Sequence, residues 1–419
     1  MNILHLNFYD TEGGAARAAY RLHSGLQERG LESRMLVLRK SSDDPSVTRL
    51  PGGLGGLFAH SLSLLDHLPL RLHPARQRTP WGVGWFPHGL AGQVRRLQPD
   101  VVHLHWVSAG FMPIRALAKF RHPIVWTLHD MWPFTGGCHY AGDCTRYQES
   151  CGACPMLGSS TERDVSRWMW RKKRKHWAGL DLTIVTPSRW LADCARASSI
   201  LRDTRVEVIP NGLRLDRYRP VEQRLARELL GLPTDRKLVL YGAVRATSDA
   251  RKGFTHLQAA LQHLAADRQA DGVEAIVFGA STPANPPDLG LRTRYVGHLH
   301  DDVSLALLYA AADVFVAPSL QDNLPNTIVE ALACGVPCVA FDVGGMPDLI
   351  DHRRTGYLAR PFDSADLAAG IAWVTQHGGW EELSRQAREK AEKAYGLERM
   401  ARRYSELYQE LVTPEVSNV

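Results

Sequence analysis

Short, almost wholly apolar runs recur along this chain between stretches of helical period, and they do so in two successive sets. The first set lies at 2–6, 33–38, 101–105, 124–128, 182–186 and 206–209, the second at 237–241, 274–278, 293–296, 314–317, 338–341 and 356–358. A continuous apolar run, unlike an alternating one, belongs to a strand covered on both faces. The pattern therefore predicts an α/β chain of two Rossmann-like, doubly wound parallel sheets. A length of 419 residues agrees, being too long for one ordinary core.

Between the two sets stands NGLRLDRYRP, where the Asn211-Gly212 turn and Pro220 mark a break. The expected domains are 1–210 and 211–390, followed at 391–419 by a helix that has no strand after it and is free to pack back across the first domain. Residues 51–90 interrupt the rhythm with PGGLGG, a helical piece at 57–70 and WGVGWFPHG. They read as a long insertion, either functional or a loosely packed excursion.

Charge narrows the choice of partners. Fifty basic against 44 acidic residues leave a net +6, which suits handling of phosphates or contact with an anionic membrane and lacks the density of a nucleic-acid binder. The opening MNILHLNFYD has neither a basic start nor an apolar core segment, and nowhere do 18 uncharged apolar residues run together. The expectation is a cytoplasmic protein without signal peptide or membrane span.

The richest stretch in chemistry is PSLQDNLPNTIVEALACGVPCVAFDVGGMPDLI, residues 318–350. A strand ends in Pro-Ser, a loop carries Asp322, and a helix beginning near Asn326 carries Glu330, so that two carboxylates eight residues apart face one cleft at the carboxyl edge of the sheet. The free N–H groups and positive dipole end of that helix suit a diphosphate. Asn323, Leu324, Asn326, Thr327 and Glu330 are accordingly the candidate donor-binding residues. After the first strand of the second domain comes YGAVRATSDARKGF, with Lys252-Gly253 and the cations Arg245 and Arg251. In the first domain EGGAAR puts Gly13 and Gly14 between a strand and a helix, where the backbone can approach a ligand closely. WTLHDMWPF places His129 and Asp130 just past another strand.

Taken together these segments resemble family 4 of the retaining glycosyltransferases, which have the GT-B fold, two Rossmann-like domains facing across a cleft. The resemblance spans nearly the whole chain and is densest at 310–350; VTPSRW at 185–190 and VIPNG at 208–212 add to it. The four-cysteine insertion resembles that of the exopolysaccharide and colanic-acid type members. Most of the family carry Glu, seven residues, Glu; the second binds the ribose hydroxyls, a role that carries to Glu330, and the first contacts the transferred sugar, a position held here by Asp322, one methylene shorter. Pro325 stands where many members have Gly and removes a backbone donor. Lys252 matches the lysine that, with an arginine, neutralises the leaving diphosphate, and Arg245 and Arg251 compete for the arginine's part. His129 matches the histidine that reaches the transferred sugar, with Asp130 orienting it or binding acceptor, and Gly13-Gly14 matches the glycine loop beside donor phosphate and acceptor.

The resemblance implies a hexosyltransferase-type enzyme that uses a nucleotide diphosphate sugar, needs no catalytic metal, retains configuration, and acts on a glycan or polyprenyl-linked acceptor in surface polysaccharide synthesis. A GT-B nucleotide-sugar epimerase and a non-catalytic sugar-nucleotide binding module are the rival readings.

Two further segments stand outside that scheme. Cys138, Cys144, Cys151 and Cys154 are separated by five, six and two residues, a spacing that fits one structural Zn²⁺ held by four thiolates; a redox pair and unmetallated thiols are the alternatives. WMWRKKRKHW, residues 168–177, sets five consecutive basic residues among three tryptophans, which fits a helix resting on anionic lipid, with an ordinary solvated face as the alternative.

Overall fold

The computed structural model describes residues 1–51, 56–77, 79–242, 249–267, 270–283, 285–299 and 301–413. The chain divides into two compact units, one of Met1–Pro210 with Met400–Val419, the other Asn211–Arg399.

The N-terminal unit holds β1 (Asn2–Tyr9), β2 (Glu32–Arg39), β3 (Val47–Arg49), β4 (Val101–Leu104), β5 (Ile124–Thr127), β6 (Leu182–Thr186) and β7 (Arg205–Val208). They form one parallel sheet in the order β3-β2-β1-β4-β5-β6-β7. The C-terminal unit holds β8 (Lys237–Gly242), β9 (Val273–Phe278), β10 (Thr293–Gly297), β11 (Val314–Ala317), β12 (Cys338–Phe341) and β13 (Gly356–Ala359), again all parallel, in the order β10-β9-β8-β11-β12-β13. The twelve anticipated strands are all present. Among the described residues only β3 was not foreseen: its Thr48 and Arg49 are exposed at the sheet edge, so no apolar run announces it.

Alternation along the strands explains why both faces are covered. In the C-terminal unit Leu238, Leu240, Phe315, Cys338 and Ala340 join one core, whereas the intervening Val239, Tyr241, Val314, Val316, Val339 and Phe341 join the other. In each sheet the strand order reverses once, between β1 and β4 and between β8 and β11. At such a point the connections leave to opposite faces and open a crevice past the carboxyl ends of the strands. The loops that follow β1, β4, β8 and β11 therefore occupy the binding positions of this fold.

The last helix, Leu397–Val412, returns to the N-terminal unit. Its buried Tyr404 hydroxyl lies 2.7 Å from Thr127 Oγ1, and Tyr408 donates to or accepts from His103 Nδ1 at 2.6 Å. The insertion after β3 is folded onto the same unit. Asp66, buried in the helix Gly56–His67, accepts the backbone N–H groups of Val83 and Gly84 at 2.9 and 2.6 Å, and Leu62, Leu70, Trp81 and Val83 enter the core.

The basic segment is the helix Val165–Trp177, capped by Asp164, which accepts the Arg167 N–H at 3.0 Å. Its helical period turns Met169, Trp170, Lys173 and Trp177 inward. Two of the three tryptophans and one of the five basic residues are thus core, and the outer face keeps Trp168, Arg171, Arg174 and Lys175. The aromatic part of the lipid-resting expectation is corrected accordingly. Among the described residues no helix is long and apolar enough to cross a membrane.

Candidate functional site

In the C-terminal unit the chain leaves β8 at Gly242 and re-enters the described residues at Asp249. Arg245, one of the two candidate arginines, lies outside the described residues. Asp249 accepts the Arg251 N–H at 3.1 Å and caps the turn Ala250–Lys252. Gly253 then adopts a positive φ of 70° and abuts the loop after β11 so closely that a Cβ there would lie 1.8 Å from the Pro318 carbonyl oxygen. Only glycine admits this approach. It is reinforced by the Leu320 N–H donating to the Arg251 carbonyl at 2.8 Å.

The result is a charge cluster. Asp322 Oδ2 receives the Lys252 ammonium at 2.6 Å and the Arg251 guanidinium at 3.2 Å. Arg251 also donates to the Gln321 carbonyl at 2.9 Å, and Asp322 Oδ1 accepts its neighbour's N–H, from Asn323, at 3.0 Å. Burial alone would raise the Asp322 carboxyl pKa, but Lys252, Arg251 and the Asn323 N–H overcome it and hold the group well below the usual carboxylate range. Lys252 and Asp322, two candidate residues that the sequence assigns to different parts of the donor, thus meet in space, and among the described residues Arg251 joins them on the carboxylate.

The helix Asn326–Ala333 carries Glu330, which is buried and accepts a hydrogen bond from Tyr309 at 3.1 Å. Burial, followed by the charge of Glu330, drives the Tyr309 phenol well above its ordinary pKa, so Tyr309 stays a donor. Asn326, in the first turn, accepts from Asn211 Nδ2 at 3.1 Å, and Thr327 beside it is half-buried. Asn323 is buried in the loop, whereas the Leu324 side chain belongs to the core. Tyr309 could not be read from the sequence, since it lies on the preceding helix, Asp302–Ala311, in an apolar context.

In the N-terminal unit Gly13 and Gly14 are exposed after β1, at the start of the 15-residue helix Gly14–Glu28, with Gly13 at φ 88°. His129 follows β5 and is pushed down to about 4 by burial, with Asp130 partly opposing. Asp130 is committed elsewhere. Its carboxylate accepts from His139 Nδ1 at 2.6 Å, Trp106 Nε1 at 2.9 Å and the Trp132 N–H at 2.9 Å. His139 in turn lies 3.3 Å from Ser108 Oγ, and all three residues are buried. The geometry makes Asp130 a brace for the loop after β5.

What holds His129 is a file of imidazoles. His129 Nε2 lies 3.3 Å from His105 Nδ1, and His105 Nε2 lies 3.0 Å from His5 Nδ1. His103 flanks the file, bonded to Thr127 at 2.7 Å and Tyr408 at 2.6 Å. Nitrogens of His5, His103 and His105 fall within 4.8 Å of one another. Both nitrogens of His103 and of His105 are engaged in these hydrogen bonds. The sequence signal was the alternation in HLHW, which puts His103 and His105 on one face of the strand, and the register that sets His5 opposite His103. In sequence, three histidines inside apolar runs are indistinguishable from core substitutions.

The four cysteines share the loop at 138–154, and the thiols of Cys138, Cys151 and Cys154 each feel the charge of others in the set. Cys138, Cys144, Cys151 and Cys154 are all free thiols. Burial raises the Cys138 thiol strongly, Cys151 to about 12 and Cys154 to about 11. The loop is organised by other bonds: Gly136 N–H donates to Cys151 Sγ at 3.1 Å, Cys154 N–H to Asp164 at 2.8 Å, and the Lys173 ammonium to the carbonyls of Trp132 and, at 3.1 Å, Thr135. These bonds order the loop whether or not the four thiols hold a metal.

Residues 12–217 match the family described as Glycosyltransferase Family 4, and residues 235–377 match Glycosyl transferases group 1. A D-inositol 3-phosphate glycosyltransferase 2 of Catenulispora acidiphila is 34% identical over 65% of this chain and 62% of its own length. The chain thus spans somewhat less than two thirds of that relative. A putative colanic acid biosynthesis glycosyl transferase, WcaC, of Escherichia coli is 26% identical over 81% of this chain and 83% of its own. Among solved structures, sucrose-phosphate synthase from Thermosynechococcus elongatus superposes with a TM-score of 0.71 at 22% identity, over 98% of this chain and 99% of that one. Anabaena Alr3699/HepE in complex with UDP-glucose gives 0.66 at 18% identity, over 98% of this chain and all of that one. Both show the GT-B fold.

Proposed function

Since the chain carries the paired family 4 and group 1 glycosyltransferase domains in a GT-B fold, we propose that it transfers a sugar from a nucleotide diphosphate donor to a hydroxyl group, with retention of configuration. The observation that carries the reading is the pair of cations, Lys252 and Arg251, gathered on Asp322 after β8 and β11. Without donor, the aspartate neutralises both. With donor, the diphosphate takes over part of that charge, and Asp322 turns to hydroxyls of the transferred sugar.

Glu330, oriented by Tyr309, is assigned to the ribose hydroxyls, and Asn323, Asn326 and Thr327, with the helix N-terminus, to the phosphates. His129 is assigned to the transferred sugar and Gly13-Gly14 to phosphate and acceptor. As the glycosidic bond breaks, its electron pair leaves with the diphosphate, where Lys252 and Arg251 stabilise the developing charge. The acceptor oxygen bonds to the anomeric carbon from the same face, and its proton passes to the leaving phosphate oxygen. In this reading the cations and the helix dipole supply the charge neutralisation that a metal gives in other transferases.

The similarity to the relative named for colanic acid biosynthesis supports a glycan or polyprenyl-linked acceptor in surface polysaccharide synthesis. The outer face of Val165–Trp177, with Arg171, Arg174 and Lys175, is the surface that would meet anionic lipid there. A panel of nucleotide sugars screened by thermal shift identifies the donor. Product analysis then decides the chemistry: an anomerically retained glycoside supports the proposal, and an epimerised donor formed without acceptor, or binding with no turnover, overturns it.

A further inference from the structure

The buried file His5–His105–His129 is not accounted for by sheet packing alone. Three imidazoles from β1, the end of β4 and the end of β5 are joined nitrogen to nitrogen at 3.0 and 3.3 Å, with His5 and His103 fully inaccessible and His105 nearly so. His23 and His103 press on His5 from the sides, at ring-centroid distances of 5.9 and 5.0 Å. The charged groups that face this cluster are Asp130 beside His129 and Asp44, 3.8 Å from His23 Nε2. Burial first, and mutual repulsion second, keep His5 and His105 neutral, so each ring carries one N–H.

Neutral rings can be threaded in two directions. If every ring is protonated at Nε2, the file runs from His129 to His5 and ends on a His5 Nε2–H that has no acceptor. If every ring is protonated at Nδ1, it runs from His5 to His129 and ends on a bare His5 Nε2 lone pair. His5 Nε2 is a buried nitrogen without a hydrogen-bond partner among the described residues. An orphan N–H in a core forfeits a strong donor bond, whereas an unmet lone pair is the better tolerated of the two.

We infer that the file runs from His5 through His105 to His129, which fixes His129 as the Nδ1–H tautomer with its Nε2 lone pair occupied by the His105 N–H. His105 and His5 are then positioning residues. On the reading that His129 serves the transferred sugar, its imidazole acts there as a hydrogen-bond donor through Nδ1 and is prevented from acting as a base through Nε2. A free neutral imidazole prefers the opposite tautomer, so the protein imposes this one from two strands away.

The test reads the tautomer directly. In full-length protein labelled with nitrogen-15 histidine, two-bond proton–nitrogen spectra at neutral pH distinguish protonated from bare ring nitrogens, with His129→Gln assigning the resonance. The expected result is a protonated Nδ1 and a bare Nε2 on His129. His105→Phe removes the imposed donor, and His129 is expected to shift toward the Nε2–H form; His105→Gln, whose amide can still donate, is expected to restore the native pattern. A wild-type His129 protonated at Nε2 overturns the inference, and that spectrum decides even if His105→Phe does not fold. An unchanged tautomer in a folded His105→Phe overturns it as well. Addition of UDP-glucose separates this from the functional reading: if His129 resonances ignore a donor that the protein binds, the sugar contact fails while the tautomer assignment stands.

Discussion

Lys252 and Asp322, 70 residues apart in sequence, meet at 2.6 Å because Gly253 lets one loop lie against the next. The carboxylate is buried, yet ionised, since two cations share it. On the proposed function, binding of a diphosphate would exchange one anion for another on these two cations.

Replacing Lys252 with alanine should abolish most transfer without unfolding the protein, because Arg251 remains on Asp322. Loss of one preorganised charge at the leaving group is worth about 10²–10³-fold in rate. Turnover of the identified donor, measured beside circular dichroism, checks this, and a folded Lys252→Ala enzyme with wild-type rate would falsify the mechanism.

Asp322→Asn should lower stability at neutral pH by about 2 kcal/mol, the worth of a hydrogen bond to a charged group. The carboxyl pKa is depressed on folding, so its contribution is complete above the unfolded value of about 3.9 and is lost as pH falls from there toward the folded value. Urea titrations of both proteins should therefore converge on acidification below about pH 4, and a difference that stays constant into acid contradicts the ion pair.

For Glu330 the expected defect is in binding. Glu330→Gln should weaken affinity for the free nucleotide by about 10–100-fold, the equivalent of one charged hydrogen bond. Tyr309→Phe, which removes only the orienting donor, should cost less. Calorimetric titration with UDP, or with whichever nucleotide the screen selects, distinguishes the two, and equal losses would argue against the assigned hierarchy.

Lys173 gives a second pH signature, of the same sign but in the alkaline range. Burial pushes its ammonium down to about 7, against the pull of Cys151, Cys138, Asp130 and Asp66. Between that value and the unfolded value of about 10.4, the unfolded chain holds the proton and the folded one does not, so stability rises with pH by about 1.4 kcal/mol per unit. Lys173→Met, of similar length and without charge, should remove this slope. Comparing denaturant midpoints of the two proteins across pH 7 to about 10 tests it, and parallel curves would mean that Lys173 titrates normally.

Charge reversal at Arg171, Arg174 and Lys175 should leave the fold intact, since all three are exposed. At about 1 kcal/mol per cation, removing the three attractions alone should weaken partition onto vesicles rich in phosphatidylglycerol by about 10²-fold. Co-sedimentation at low and high salt is the measurement. Unchanged partitioning rules out this helix as the lipid-facing surface.

Local pattern carried the sequence reading a long way. Twelve strands are encoded within windows of a dozen residues or fewer, where apolar periodicity and breakers act directly on the backbone. The strand β3 escaped because an edge strand of three residues buries too little to need an apolar run.

The remaining features depend on which distant residues share a space, and no local window holds that information. Whether Arg251 joins Lys252 on Asp322 was decided by the packing of one loop on another. That Trp170, Lys173 and Trp177 are core was decided by what lies under their helix. Strand order alone brought His5, His105 and His129 into line, because hydrogen bonding across a sheet joins residues about 100 positions apart as readily as neighbours.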